Sequence, residues 1–193
     1  MKTLGSWESP NGPTFNVEFR DLDEQLRFLR RMVSGPPVTV RDVAGVAHTI
    51  GDYRSHPQIR ELALTIIKER GARSRDKKGQ AIAIGQWVQD NIYYVHEMPE
   101  RFQTPIETLR LKAGDCDDST VLIDSLLETI GIPSQLVCMQ VDFAWKHIFP
   151  AAVMQNGALL PLDSTMRDFP VDSVTNPTAW AMERGKRVRI KLA

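Results

Sequence analysis

Apolar positions recur at helical spacing in three long stretches of the chain. In "HPQIRELALTIIKERG" Pro57 stands near the start and Gly71 past the end, which predicts a helix between them. In "DKKGQAIAIGQWVQDNIYYV" Ile84, Trp87, Val88 and Ile92 share a face, while the tail "NIYYV" drifts toward strand composition. From Cys116 onward Val121, Leu122, Ile123, Leu126, Leu127 and Ile130 form a broad stripe, closed by Gly131 and barred from continuing by Pro133. Nearer the N-terminus, "TFNVEF" alternates with Phe15, Val17 and Phe19 on one face, and "DLDEQLRFLRRMVS" follows as a helix candidate. After the third stripe the period changes. "SQLVCMQVDF" is a strand by composition, and "KHIFPAAVMQ" and "ALLPLDST" flank Asn156-Gly157, the strongest short hairpin signal in the chain. Helices first and antiparallel strands afterwards favour an α+β fold. Residues 116–131 are expected as a central helix on a sheet of about 135–165. "TFNVEF" and "RVRIKL" are expected as peripheral strands, available to pair with each other.

Composition narrows the classes. The chain has 193 residues, 42% apolar and 25% charged, as in a folded globular protein. Lys plus Arg is 24 and Asp plus Glu is 24, so no global basic field points to nucleic acid. The C-terminal "RGKRVRIKLA" alternates charged with apolar residues and reads as a half-buried strand rather than a nucleic-acid patch. "MKTLGSWESPNGPTF" lacks the apolar run of a signal peptide, and no stretch approaches the roughly 18 apolar residues of a membrane span. Two cysteines, Cys116 and Cys138, make neither a disulfide framework nor a CxxC zinc site, so free thiols in a cytoplasmic setting are expected. No metal and no cofactor is expected. Consecutive acids on a helix start should point in different directions, which disfavours convergent oxygen ligands.

One cysteine is oddly placed. In "LRLKAGDCDDST" Cys116 sits between glycine and three aspartates where a helix should begin. Orphan N–H groups and the macrodipole favour an anion there, and a helix N-terminus depresses a thiol pKa. A thiolate nucleophile is therefore expected at Cys116. Asp118 lies about 200° around the helix from it and can cap without facing the sulfur.

A reactive thiol needs a base, and the base needs an orienting group. Of four histidines, His48 lies in an apolar stretch, His56 opens a helix and His96 follows the second helix. His147 lies on the first hairpin strand, and across the Asn-Gly turn stands Asp163. Cys116, His147 and Asp163 in this order suit nucleophile, base and orienter. A two-residue turn would pair Gln155 with Ala158 and hence Pro150 with Asp163, leaving His147 three residues, or about 10 Å, out of step. A bulge is then required, with Pro150 and Pro161 as the places where a ladder would break.

These segments carry a resemblance. "AIGQWVQDNIYYVHE", "TPIETLRLKAGDCDDSTVLIDSLLETIGIPSQLV" and "KHIFPAAVMQNGALLPLDST" resemble the transglutaminase-like superfamily of papain-type thiol proteins, over about residues 57–166. The "GDCDD" form is similar to versions in bacteriophage and prophage proteins. "HIFP" and "DST" depart from the family's usual continuation after the histidine and its "DPT". The resemblance implies a papain-like core, with residues 46–166 as the catalytic unit and 1–45 and 167–193 as extensions. It implies acyl transfer on a peptide or carboxamide bond, by a cysteine peptidase, amidase or transglutaminase, with Cys116 as nucleophile, His147 as base and Asp163 as orienter. The oxyanion would rest on the Cys116 N–H and one side-chain donor, for which Gln103, Trp87 and Trp145 are candidates; Gln103 is expected on a loop surface. The implied partner is a protein or peptide substrate, with neither nucleic acid nor membrane. The alternative is a non-catalytic binding or assembly module, contacting phage structural proteins in a phage particle.

Overall fold

The computed structural model describes residues 49–95, 102–141, 144–165, 167, 170–172 and 188–192, with short strands at 2–3 and 18–19; side chains are described for 49–95, 102–137, 147–165, 167 and 170–172. The expected helix "DLDEQLRFLRRMVS" and most of "TFNVEF" lie outside the described residues.

Three helices follow the sequence pattern closely. Helix α1 (Pro57–Glu69) takes Pro at its first turn, where the missing N–H is not needed, and Gly71 follows its end at φ 66. Helix α2 (Lys77–Asn91) is capped by Asp76, whose carboxylate accepts the Gly79 N–H at 2.8 Å. It runs directly into the strand β3 (Tyr93–Tyr94). Sequence analysis gave no helix between these and the thiol. The structure has one, α3 (Pro105–Leu111), with Thr104 as N-cap and Glu107 at N3; "TPIE" is a T-x-x-E start with Pro at N1. Lys112 at φ 54 closes it and leads into β4 (Ala113–Gly114), which pairs parallel with β3.

Helix α4 (Cys116–Thr129) is the centre of the molecule, touching α1, α2, α3 and the strand β6 (Ala144–Val153). It is buried almost all round, so its packing rather than its amphipathicity holds it. Leu122, Ile123, Leu126 and Leu127 join Ile59, Ile66, Ile84 and Val88 in one core cluster, and Val121 joins Leu136 and Ile148 in a second. Each such side chain contributes roughly 1.5–3 kcal/mol of burial. Cations from two other helices satisfy the α4 C-terminus: Arg60 donates to the Thr129 carbonyl, and Lys77 Nζ donates to that of Ile130 at 3.0 Å.

The antiparallel sheet has the order β7-β6-β5-β8, with β5 Ser134–Val141, β7 Leu159–Pro161 and β8 Val188–Leu192. Strand β8, the expected peripheral "RVRIKL", pairs with β5 rather than with the N-terminal strand. Among the described residues, β2 (Glu18–Phe19) pairs with β1 (Lys2–Thr3).

The hairpin corrects the expected register. Val153 pairs with Leu159 and Ala151 with Pro161, so the turn holds three residues, Gln155, Asn156 and Gly157, closed by Gly157 at φ 78. Continued past Pro161, this register sets Asp163 against Phe149, two residues from His147 instead of three. Strand side chains alternate with period two, so the one-residue change moves Asp163 onto the His147 face. No bulge between β6 and β7 is needed, and both prolines sit within paired stretches. The sheet's bulge is on the other side of β6: Met139 pairs with His147 but Gln140 with Trp145, leaving Lys146 as the extra residue.

Candidate active site

The first turn of α4 is a dense polar knot. Asp115, in extended conformation, is the N-cap; its Oδ1 accepts the Asp117 N–H at 3.2 Å, and Asp118 Oδ2 accepts the Asp115 N–H at 3.2 Å, completing a capping box. Asp118 Oδ1 accepts the Gln103 N–H at 2.7 Å and pins the loop before α3 to the turn. Asp117 Oδ1 accepts the Asp118 N–H at 2.9 Å. Gly114 is required by this packing, since a Cβ there would stand 2.7 Å from that of Asp118. The knot takes up the N–H groups of Asp115, Asp117 and Asp118 and leaves that of Cys116 outside it.

Against expectation, the three carboxylates converge: one oxygen from each of Asp115, Asp117 and Asp118 lies within 4.8 Å of the others. The N-cap is not helical, so its side chain folds back over the turn instead of following the 100° helical step. All three are buried and already accept N–H bonds.

Cys116 is half-buried beside Val121, Leu136 and Ile148. The Ile148 backbone hydrogen-bonds the sulfur, which places the thiol against β6 one residue from His147. Thr120 Oγ1 fastens the same junction, donating to the Cys116 carbonyl at 2.6 Å and to that of Ile148 at 3.2 Å. The expected thiolate is not what this surrounding favours. Burial first, then the charges of Asp115 and Asp117, push the Cys116 thiol well above its ordinary pKa; the Ile148 bond opposes them and Asp163 adds to the rise. Burial and the carboxylates folded over the turn thus oppose the helix dipole and favour the thiol over the thiolate.

On β6, His147 is 5% exposed and tilted against Phe149, with ring centroids 5.6 Å apart. Its Nε2 lies 2.8 Å from Asp163 Oδ2. Burial would push the Asp163 carboxyl up, but the His147 charge and hydrogen bond, with the two Thr165 donors, hold it below the usual carboxylate value. Thr165 N–H and Oγ1–H both donate to Asp163 Oδ1, at 3.1 and 2.7 Å, which gives the threonine of "DST" a role in fixing the carboxylate. Ionised Asp163 can only accept, so Nε2 carries the proton and Nδ1 is left as the basic nitrogen. The segment is anchored by Asp163 N–H donating to the Val171 carbonyl at 3.0 Å. Val171 packs so tightly on α2 that a Cβ on Gly85 would lie 2.9 Å from it.

A family model described as a transglutaminase-like domain matches residues 59–191, which include Cys116, His147 and Asp163. The chain belongs to the transglutaminase-like family. Its core is therefore the α+β, papain-like fold of thiol-dependent enzymes. Among solved structures it is similar to a candidate cysteine protease from Cytophaga hutchinsonii (17% identity, TM-score 0.47, 93% of this chain and 60% of that one). It is also similar to a candidate protease from Parabacteroides distasonis (11% identity, TM-score 0.49, 89% of this chain and 42% of that one). The transglutaminase-like chain thus spans less than two thirds of either. No curated protein matches it.

The oxyanion candidates fall in different places. Gln103 is 1% exposed, not on a loop surface, and is tied to the α4 start through Asp118. Trp87 packs, partly buried, against the main core cluster. Trp145 lies on β6 opposite Gln140, and its side chain is outside the described residues. His56 caps α1, while His48 and His96 lie outside the described residues. A further polar residue, Tyr94, pairs on β3 with Gly114, two residues before the thiol. Burial first, then Cys116 once ionised and the carboxylates of Asp115, Asp163 and Asp117, push the Tyr94 pKa far up, so the phenol stays protonated. Sequence analysis read "NIYYV" only as a strand and missed it. No helix among the described residues is long and apolar enough to cross a membrane.

Proposed function

We propose that this transglutaminase-like domain catalyses thiol-dependent acyl transfer on a peptide or carboxamide bond, with Cys116 as nucleophile, His147 as base and Asp163 as orienter. The observation that carries the reading is the buried 2.8 Å contact from His147 Nε2 to Asp163 Oδ2, on the strand whose next residue hydrogen-bonds the Cys116 sulfur. Asp163 fixes the ring tautomer so that Nδ1 is basic. As a substrate carbonyl approaches, His147 takes the thiol proton while the sulfur attacks, and the same proton then goes to the departing amine. A protonated resting thiol makes this transfer part of the attack rather than a step before it. The Cys116 N–H, at the start of the helix, is the backbone donor assigned to the oxyanion in this reading. Gln103, Trp87 and Trp145 remain candidate second donors. Water is the acceptor we favour over a second amine, because water is the default acceptor in any cleft that is not sealed from solvent.

A peptide aldehyde or glutamine-mimic electrophile should label Cys116 covalently. Labelling should fail in Cys116→Ser and fall at least tenfold in His147→Ala. If the wild type resists every such electrophile and Cys116→Ser keeps full biological function, the domain is a binding or assembly module, as in a phage particle.

A further inference from the structure

Resting on the acyl-transfer reading, we propose that the Tyr94 hydroxyl is the side-chain donor that, with the Cys116 N–H, holds the carbonyl oxygen while Cys116 attacks. Strand β3 lies in register with β4, Tyr94 opposite Gly114, and Val95 N–H donates to the Gly114 carbonyl at 3.0 Å. Gly114 is two residues from the thiol, so β3 runs alongside the chain entering α4. Side chains alternate on this short strand. Tyr93 faces one way, where the Arg167 guanidinium covers its ring at 4.5 Å and donates to the Ile92 carbonyl at 2.9 Å. Tyr94 faces the other way, and the groups whose fields reach its hydroxyl are the carboxylates of Asp115, Asp117 and Asp163 and, once ionised, Cys116, so that both ends of the catalytic set are represented. It is 38% exposed, which places the phenol at the mouth of the site rather than under it.

The chemistry asks for such a group. Acidic surroundings that disfavour a thiolate also disfavour an oxyanion, so a neutral N–H alone is a weak counterpart. A phenol held protonated by the same carboxylates is a fixed O–H donor at any working pH. In the step it serves, the S–C bond forms, the thiol proton moves to His147 Nδ1, and the carbonyl π pair becomes the oxyanion. On collapse that pair re-forms C=O, the C–N or C–O bond breaks, and the leaving group takes the proton from His147.

The test compares two reactions of the same sulfur in full-length protein. p-Nitrophenyl acetate acylates through an oxyanion; iodoacetamide alkylates by displacement and forms none. Tyr94→Phe should slow the nitrophenol burst about 10²-fold, chiefly in the rate and little in half-saturation, while Cys116 alkylation changes less than twofold. Equal slowing of both reactions would make Tyr94 a residue that positions the thiol, and no change in either would make it a bystander; both overturn the proposal. A wild type giving no burst above Cys116→Ser overturns the acyl-transfer reading itself, a result separate from an effect confined to Tyr94→Phe. Circular dichroism of the variant, which removes a single oxygen atom, should be unchanged.

Discussion

Helix α4 carries buried carboxylates at two levels, and they live in opposite conditions. At its first turn Asp115 and Asp118 are buried but saturated, because a helix start offers orphan N–H groups and the loop at Gln103 adds another. Two turns later Asp124 is 2% exposed and has Ser134 as partner for one oxygen, while its Oδ1 has no hydrogen-bond partner among the described residues. Mid-helix N–H groups are already used. Burial, with a smaller contribution from Glu128, pushes the Asp124 carboxyl up to about 8. The same residue type is thus a hydrogen-bonded cap at one end of the helix and a neutral acid in its middle.

The comparison is broken most severely by removing an anchor of the first turn. Asp118→Ala leaves the N–H groups of Asp115 and Gln103 unmatched in a buried site. It should cost about 4 kcal/mol in urea unfolding at pH 7, at one to three per stranded group and more where the lost partner was charged. Asp124→Asn should do the reverse. The folded pKa of Asp124 is raised, so its contribution to stability is fully present below about pH 4 and lost as pH rises toward 8. The wild type should lose stability across that window, and Asp124→Asn should be more stable by about 2 kcal/mol at pH 8.5 yet nearly equal at pH 4, read by thermal or urea unfolding. An Asn variant less stable at both pH values would show that Asp124 is ionised and paired.

A smaller effect sharpens the contrast from the thiol's side. Asp117→Asn removes one of the charges that hold the Cys116 proton but keeps an oxygen acceptor for the Asp118 N–H. Iodoacetamide should then alkylate Cys116 roughly tenfold faster at pH 7.5, about 1.4 kcal/mol in thiolate stability. Smallest is Thr165→Val, which withdraws a single hydroxyl from Asp163 and leaves the backbone bond. Acyl transfer should fall about threefold, mostly below pH 6, because Asp163 then protonates more readily; an unchanged pH profile would deny Thr165 that part.

The elements were largely legible where punctuation is local. Pro57 with Gly71 bounded α1, and the Gly131–Pro133 stop ended α4, because such signals act within one turn of chain. Helix α3 was equally marked by Thr104, Pro105 and Glu107 but hidden inside a segment read as a loop. Asn156-Gly157 announced the hairpin, yet only Gly157 takes positive φ, and the third turn residue changed which face Asp163 occupies. The Cys, His and Asp order was visible, since a base and its orienter fall on adjacent strands. The charge state of the thiol was not, because it depends on how Asp115 folds back and on burial by β6. Tyr94 escaped for the same reason: its neighbours are set by the β3–β4 pairing, not by its own flank.

In the proposed acyl transfer Cys116 rests as a protonated thiol and yields its proton to His147 only during attack. Thiolate absorbance near 240 nm, taken as wild type minus Cys116→Ser so that Cys138 cancels, reads this directly against pH. No rise is expected until the pH passes the ordinary thiol range of about 8.5, and an earlier rise is expected in Asp117→Asn. A thiolate step near pH 5 that disappears in His147→Ala would mean a preformed thiolate–imidazolium pair and would contradict that expectation.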